Sequence, residues 1–151
     1  MSTIDVFIEN EAGSDVKHHY DEEHLTLLRI ERLPAAYPFP YGFVPGTLAP
    51  DGDAADCFVL TARRLSSGEV VSCEPVALQE QTEGGAVDHN VLAVLPGEPV
   101  PDLEAVAALI ARFGEEGFAG MPGRETVAGR LLGAAEALEY LARCTDAHAA
   151  R

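Results

Sequence analysis

The sequence predicts an α+β domain in which helices cover a small antiparallel sheet or barrel. Before Pro99, short apolar or β-branched runs are separated by turn residues, and after it the apolar residues recur with helical spacing. Strands that precede helices in this way favour an α+β arrangement. With 151 residues, of which 47% are apolar, the chain is expected to form a single domain over residues 1–151.

Five segments are predicted to be strands. In the first, Ile4, Val6 and Ile8 alternate along one face, which is typical of a half-buried strand. Glycine-containing breakers such as Asp51-Gly52 and Gly84-Gly85 separate the segments from one another. The predicted strands are Ile4–Glu9, Leu25–Ile30, Cys57–Thr61, Val70–Leu78 and Val91–Leu95.

Two helices are predicted after Pro99. The first is expected to begin after Asp102, a good N-cap residue, and to end at Gly114. Gly129 and Gly133 weaken the second helix locally, which suggests that it packs closely on another element. The buried stripe of this second helix is predicted to be Val127, Leu131, Ala134, Leu138 and Leu141.

The composition excludes several classes of protein. Ten basic and 25 acidic residues give a formal charge of −15, which disfavours nucleic acid and anionic membranes as partners. No apolar run approaches the ~18 residues of a membrane helix, and the start of the chain lacks signal-peptide features, so a cytoplasmic protein is expected. Cys57, Cys73 and Cys144 are widely spaced without a C-x-x-C pair, and they are predicted to be reduced structural thiols.

The segment Asp51-Gly52-Asp53-Ala-Ala-Asp56 places three carboxylates around a turn glycine. Such packing of like charges raises carboxylate pKa values unless a cation lies between them, and hard divalent cations prefer oxygen ligands. A solvated hairpin turn is the plain alternative, because Asp-Gly is a common turn dipeptide. An EF-hand is excluded, since no Glu closes the loop.

This acidic turn follows Tyr37-Pro-Phe-Pro-Tyr41-Gly42, and the two segments together resemble the soluble inorganic pyrophosphatases called family I. The hallmark of that family is Tyr-Pro-x-x-Tyr-Gly followed shortly by Asp-Gly-Asp-x-x-Asp, and both parts are present at 37–42 and 51–56. The resemblance implies a five-stranded OB-like barrel over about 4–95. Two C-terminal helices, in about 101–143, are expected to pack outside it.

The resemblance also implies an activity and a set of site residues. The expected reaction is hydrolysis of inorganic diphosphate to two phosphates by a metal-activated water, with Mg²⁺ as cofactor or Mn²⁺ or another divalent ion in its place. The implied general base is Asp53. The implied metal ligands are Glu9, Asp51, Asp56, Glu83 and Asp88. Glu83 could stand for either of two acidic residues in the second acidic cluster of the family. The implied phosphate-binding residues are Lys17, Arg29 and Tyr41, and His19 and Asn90 are also expected to bind substrate, because they occupy site positions of the family. The resemblance alone implies a homo-oligomer.

The chain departs from the family pattern at positions that bind phosphate. An expected Asp-x-Lys reads Asp88-His89-Asn90, an expected Lys-x-Glu reads Lys17-His18-His19, and an expected Tyr-Lys pair falls near Gly117-Phe118. Arg112 or Arg124 could replace a lost cation in space. Uncompensated loss of two charge-assisted contacts, each worth about 1.5–3 kcal/mol, would weaken diphosphate binding severely.

Three functions therefore remain open from the sequence. The first is the metal-dependent diphosphatase, and the second is a repurposed enzyme that acts on another metal-chelated phosphate, phosphonate or organic substrate. The third is a non-catalytic module that binds a metal or an anion, because fold alone does not fix function.

Two further groups have alternative interpretations. His18, His19 and His24 could supply a nitrogen ligand to a transition metal, or they could be titrating side chains on a polar hairpin tip. Cys57 follows Asp56 directly, and we expect it to be a buried strand cysteine and not a nucleophile, because no basic neighbour activates it.

Overall fold

Nine strands and two helices follow one another along residues 2–151, the part of the chain that the computed structural model describes. The strands are β1 (Ile4–Asn10), β2 (Val16–Asp21), β3 (Thr26–Arg32), β4 (Tyr41–Val44), β5 (Ala55–Val59), β6 (Val70–Glu83), β7 (Ala86–Val87), β8 (Asn90–Val94) and β9 (Thr126–Gly133). The helices are α1 (Leu103–Gly117) and α2 (Ala134–Ala149).

Five strands close into a barrel in the order β1-β4-β5-β8-β6, and β6 pairs back to β1. Only the β5–β8 pair is parallel, and it places Asp56 opposite Asn90. The interior is filled by apolar side chains such as Val6, Val59 and Val91, none of which is exposed. The predicted α+β fold with a five-stranded barrel and two helices is confirmed.

The prediction for Leu25–Ile30 is right about strand structure, but the segment is not part of the barrel. Residues 26–30 belong to β3, which pairs with β2 in a separate two-stranded sheet, and Leu25 lies in the turn before it. The fifth barrel strand is instead β4, which was not predicted. It fits against β1 because Gly42 has no side chain: a Cβ there would lie 1.8 Å from the carbonyl oxygen of Phe7.

The predicted second helix is wrong in its first half, because residues 126–133 form β9 along the edge of β6. Glycine costs about 1 kcal/mol in a helix interior, which disfavours the helical alternative here. Gly129 does pack closely, as expected, since a Cβ at that position would lie 3.1 Å from Cβ of Glu80. The helix proper begins at Ala134, and its buried residues Ala137 and Tyr140 contact the barrel cluster.

Helix α1 begins as predicted, with the Asp102 carboxylate accepting hydrogen bonds from the backbone N–H groups of Glu104 and Ala105. It does not end at Gly114 but continues to Gly117. Gly114 serves packing instead, because a Cβ there would lie 2.5 Å from Oγ1 of Thr126. Neither helix of the described chain combines the length and apolar character needed to cross a bilayer.

Replacing Asp102 with Ala should lower the free energy of unfolding by about 1 kcal/mol, because two N–H groups of the first helical turn lose their acceptor. Urea denaturation measures this change. Asp102→Asn is the matched control, since Asn caps a helix almost as well and should be close to neutral. Equal losses in the two variants would contradict a capping role.

Candidate active site

A cavity of about 520 Å³ lies between the barrel, the β2–β3 hairpin and helix α1. All eleven residues that the sequence singles out for the site line this one cavity, although they come from seven strands and two turns. They are Glu9, Lys17, His19, Arg29, Tyr41, Asp51, Asp53, Asp56, Glu83, Asp88 and Asn90.

Three of these residues form an acidic cluster, in which one oxygen from each of Asp51, Asp56 and Asp88 lies within 4.8 Å of the others. The topology explains this convergence. Asp56 lies in β5, and Asp88 precedes β8, which runs parallel to β5 at its side. Asp51 lies in the turn before β5, where the backbone N–H of Asp53 donates to its Oδ1 atom at 3.0 Å.

Burial and mutual repulsion raise the pKa values of the carboxyl groups around this cluster. Burial raises the pKa of Asp51 to about 7, with a further contribution from Asp88. Burial and the neighbouring Asp88 raise the pKa of Asp56 well above its ordinary value. Burial also raises the pKa of Glu9 to about 7. Such a group is stabilised by a cation placed between its members.

The residues present fit a hard divalent cation. All donors of the acidic cluster are carboxylate oxygens, the ligand type that Mg²⁺ and Mn²⁺ prefer. The cavity is lined by seven carboxylates, namely Glu9, Glu22, Asp51, Asp53, Asp56, Glu83 and Asp88, and by three permanent cations, namely Lys17, Arg29 and Arg124. When all are ionised, seven negative and three positive charges leave four negative charges, which two divalent cations would neutralise.

Cations face the acidic cluster from the β2–β3 hairpin. Burial lowers the pKa of Lys17, but Tyr37, Glu9 and Asp56 outweigh this effect and hold the pKa above its ordinary value, so the amine is charged. Its Nζ atom lies 3.4 Å from the hydroxyl of Tyr37. Arg29 is exposed and forms no ion pair with residues 2–151, which leaves its guanidinium free to meet an anion.

Asn90, which stands where the resemblance expects a lysine, is buried and begins a chain of hydrogen bonds that ends at Asp88. Its Nδ2 atom donates to Oε1 of Gln81 at 3.2 Å, and Nε2 of Gln81 donates to Oδ2 of Asp88 at 3.5 Å. Gln81 therefore orients a carboxylate of the acidic cluster. No sequence pattern singles out Gln81, which is one polar residue among several on β6.

The three histidines of the β2–β3 hairpin do not converge on one point. His18 contacts Asn10, His24 contacts Asp21, and His19 Nε2 lies 2.8 Å from Oε1 of Glu31. The one group of closely spaced potential metal ligands within residues 2–151 is the acidic cluster. Among these imidazoles, only that of His19 lines the cavity.

The two arginines proposed as substitutes for lost cations differ in position. Arg112 is exposed on α1, where it pairs with Glu116 at 3.5 Å, and it does not line the cavity. Arg124 lines the cavity and donates to both carboxylate oxygens of Glu31, each at 3.1 Å. Neither Glu31 nor its contact with Arg124 was predicted, since 93 positions separate the two residues.

Two further carboxylates border the cavity. Glu83 is the last residue of β6. Its pKa is raised mainly by burial and to a smaller extent by the charge of Asp88. Glu22 Oε1 accepts a hydrogen bond from the backbone N–H of Ala54 at 3.0 Å, which ties the hairpin to the loop that carries Asp53.

Cys57 is buried in β5 as expected, and burial raises the pKa of its thiol well above the ordinary value.

Comparison with known proteins agrees with this geometry. Residues 6–115 match the model of the inorganic pyrophosphatase family. The chain is 39% identical over 93 residues to the inorganic pyrophosphatase of Gluconobacter oxydans, covering 60% of this chain and 54% of that protein. It is 37% identical over 98 residues to that of Nostoc, covering 64% and 58%. The matched region thus spans about half the length of these curated relatives.

Solved structures extend the similarity to nearly the whole chain. The inorganic pyrophosphatase from Thermus thermophilus superposes with a TM-score of 0.87 at 28% identity, covering 97% of this chain and 91% of that one. The enzyme from Coxiella burnetii gives a TM-score of 0.85 at 27% identity, covering 97% and 95%. Because the family model spans most of the barrel and helix α1, the chain belongs to the inorganic pyrophosphatase family.

Proposed function

We propose that this protein hydrolyses inorganic diphosphate to two phosphates with the help of a divalent cation, of which Mg²⁺ is the first candidate. The observation that carries the proposal is the oxygen-only cluster of Asp51, Asp56 and Asp88, which shares one cavity with Lys17 and Arg29. A diphosphate chelated to a divalent cation presents positive charge to carboxylates and negative oxygens to cations. The carboxylates and the cations of this cavity therefore suit the two parts of one complex between a divalent cation and diphosphate.

The acidic residues of the cavity are proposed to bind the cation, and the basic residues and Tyr41 are proposed to bind the phosphate oxygens. Asp51, Asp56 and Asp88 would hold the cation, with Glu9 and Glu83 nearby at the border of the cavity. A bound divalent cation would supply Lewis acidity, making an attacking water more acidic and neutralising charge on the phosphoryl oxygens. Lys17, Arg29 and the hydroxyl of Tyr41 would bind and orient those oxygens.

Asp53 is proposed as the general base. Its carboxylate is exposed at the tip of the acidic turn, lines the cavity and lies outside the tight cluster. It can therefore accept a proton from water without giving up a place among the metal ligands. The contact between Ala54 and Glu22 holds the residue that follows Asp53, which limits movement of this turn.

A second candidate function has one observation in its favour. Ile110, Phe113 and Phe118 give the cavity an apolar wall, and Asn90 is uncharged where the resemblance expects a lysine. A substrate that joins a chelating phosphate or phosphonate to an organic group would contact this wall. A protein that binds Mg²⁺ but releases almost no phosphate from pyrophosphate would favour this function.

Asp53→Asn should reduce kcat for pyrophosphate by about a hundredfold or more, because general base catalysis contributes roughly 10²–10⁴-fold. Phosphate release with excess Mg²⁺ measures the change. Asp5→Asn is the matched control, since Asp5 is an exposed carboxylate outside the cavity and should retain wild-type activity. Negligible release by the folded wild type would sink the diphosphatase. An active Asp53→Asn protein would remove Asp53 from the role of base.

Three finer expectations belong to the same proposal: preference for Mg²⁺ over Mn²⁺, a cytoplasmic location and a homo-oligomeric state. The last has support on β3, where Leu28 and Ile30 are 66% and 59% exposed. Apolar side chains on the outer face of a hairpin offer a surface that a second copy could cover. Sedimentation analysis tests the assembly, and activity with each metal tests the preference.

A further inference from the structure

We propose that Arg124 is a substrate-binding residue that donates hydrogen bonds to phosphate oxygens, and that Glu31, His19 and Phe118 hold it in position. The inference rests on the proposed function, because it assigns a ligand within the same cavity. Arg124 would supply a cation that the family pattern otherwise lacks here, since Gly117-Phe118 stands where a Tyr-Lys pair is expected and Asn90 where a lysine is expected.

The backbone carries Arg124 to the cavity by a close approach of two turns. Gly84 lies so near to Gly123 that a Cβ on Gly84 would be 2.2 Å from the carbonyl oxygen of Gly123. The N–H of Gly84 donates to the carbonyl of Glu125 at 2.9 Å, and the N–H of Arg124 donates to the carbonyl of Met121 at 3.1 Å. These contacts fix the Cα of Arg124 beside the end of β6.

The guanidinium is then oriented by two side chains. Both oxygens of Glu31 accept from its Nη atoms at 3.1 Å, in the forked geometry that restricts arginine most strongly. The ring of Phe118 lies beneath it, with 4.7 Å between the Cζ atom and the ring centroid. An arginine held in this way loses little further freedom when it binds an anion.

Arg124 keeps donors for a ligand. A guanidinium carries five N–H bonds, and Glu31 uses two of them. No other acceptor within residues 2–151 is hydrogen-bonded to this side chain, which lines the cavity and is 30% exposed. Three N–H bonds therefore remain for phosphate oxygens. Because Glu31 offsets the charge, Arg124 would act mainly through directed hydrogen bonds.

The remaining partner of Glu31 is His19. Hydrogen bonds from Arg124 lower the pKa of Glu31 to about 2, so this carboxylate is ionised and can only accept. Nε2 of His19 must therefore carry the proton that it shares with Oε1 of Glu31 at 2.8 Å. Two departures from the family pattern, His19 and Phe118, thus contact the same Arg124–Glu31 pair from different sides.

The chain offers a matched control in Arg130, which forms the same kind of forked ion pair with Glu80 on the outside of the protein, 76% exposed and away from the cavity. Arg124→Gln and Arg130→Gln each remove a forked ion pair and a positive charge, so an effect that follows from either loss anywhere on the protein should appear in both. Arg124→Lys keeps a positive charge but cannot make the forked contact.

The experiment is a calorimetric titration of each variant with inorganic phosphate in excess Mg²⁺, combined with KM and kcat for pyrophosphate. We expect Arg124→Gln to raise the Kd for phosphate and the KM roughly tenfold to a hundredfold, as for the loss of charge-assisted hydrogen bonds. Arg124→Lys should recover part of this loss, and Arg130→Gln should match the wild type.

The possible outcomes separate the inference from the proposed function. If the wild type binds phosphate but releases none from pyrophosphate, the diphosphatase fails while the phosphate titration still decides the role of Arg124. Unchanged phosphate binding in Arg124→Gln, equal losses in Arg124→Gln and Arg130→Gln, or a wild type that binds no phosphate would each overturn the inference. If Arg124→Gln does not fold, Arg124→Lys decides: wild-type affinity would exclude a role for the forked guanidinium.

Discussion

Asp56→Asn is expected to lower phosphate release by about a hundredfold to a thousandfold and, without metal, to make the protein more stable. The first effect follows from the loss of one charged ligand beside Asp51 and Asp88, which weakens the charge stabilisation that a divalent cation supplies. The second follows from burial and the nearby Asp88, which raise the pKa of Asp56 well above its unfolded value. At neutral pH the folded protein must therefore either bind a proton at Asp56 or bury its negative charge. Both cost free energy, and the neutral Asn side chain avoids this cost.

Thermal melts with and without Mg²⁺, beside the phosphate assay, measure both effects. We expect the metal-free melting temperature of Asp56→Asn to rise by roughly 3–8 °C and its increase on adding Mg²⁺ to shrink. Asp5→Asn, an exposed carboxylate outside the cavity, should change none of the three values. A variant that keeps wild-type activity, or one that melts lower without metal while gaining as much from Mg²⁺, would contradict the assignment of Asp56.

The local parts of the fold were predictable from the sequence, because the signals lie within a few residues of one another. Alternation at Ile4, Val6 and Ile8 marked β1, and Asp102 marked the start of α1. Strand β9 was missed because Val127 and Leu131 recur with helical spacing, so the pattern mimics a helix. Its strand state is set by pairing with β6, a tertiary contact that local spacing does not show.

The same difference between local signals and tertiary contacts decides which site residues could be predicted. The acidic turn 51–56 could be predicted, because three carboxylates within six residues are a local signal and the resemblance supplied the rest of the set. Gln81 and Glu31 could not, because each is an ordinary polar residue on its own, and the sequence could name Arg124 only beside Arg112, without choosing between them. They become part of the site only where β6, the β2–β3 hairpin and the start of β9 meet. A single sequence contains no local pattern that shows which residues so far apart along the chain are in contact.

Gly42→Ala is expected to lower the free energy of unfolding by more than about 4 kcal/mol, or to prevent folding altogether. The new Cβ would lie 1.8 Å from the carbonyl oxygen and 2.7 Å from the carbonyl carbon of Phe7. These are backbone atoms of β1, which a rotamer change cannot move, so β4 would have to separate from β1 and open the barrel. Since domains of this size are stable by only about 5–15 kcal/mol, most of that margin would be lost.

Gly46→Ala is the matched control, because it tests the other reason for a glycine in the same segment. Gly46 has φ of 78°, where alanine costs about 1–2 kcal/mol, but a Cβ there would meet no atom within 4 Å. Urea denaturation should therefore place Gly46→Ala slightly below the wild type and Gly42→Ala far below it. Because Gly42 has no positive φ that would itself require glycine, equal losses would mean that β1 and β4 make room for the new Cβ at little cost. The barrel would then tolerate a side chain at the place where the structure leaves none.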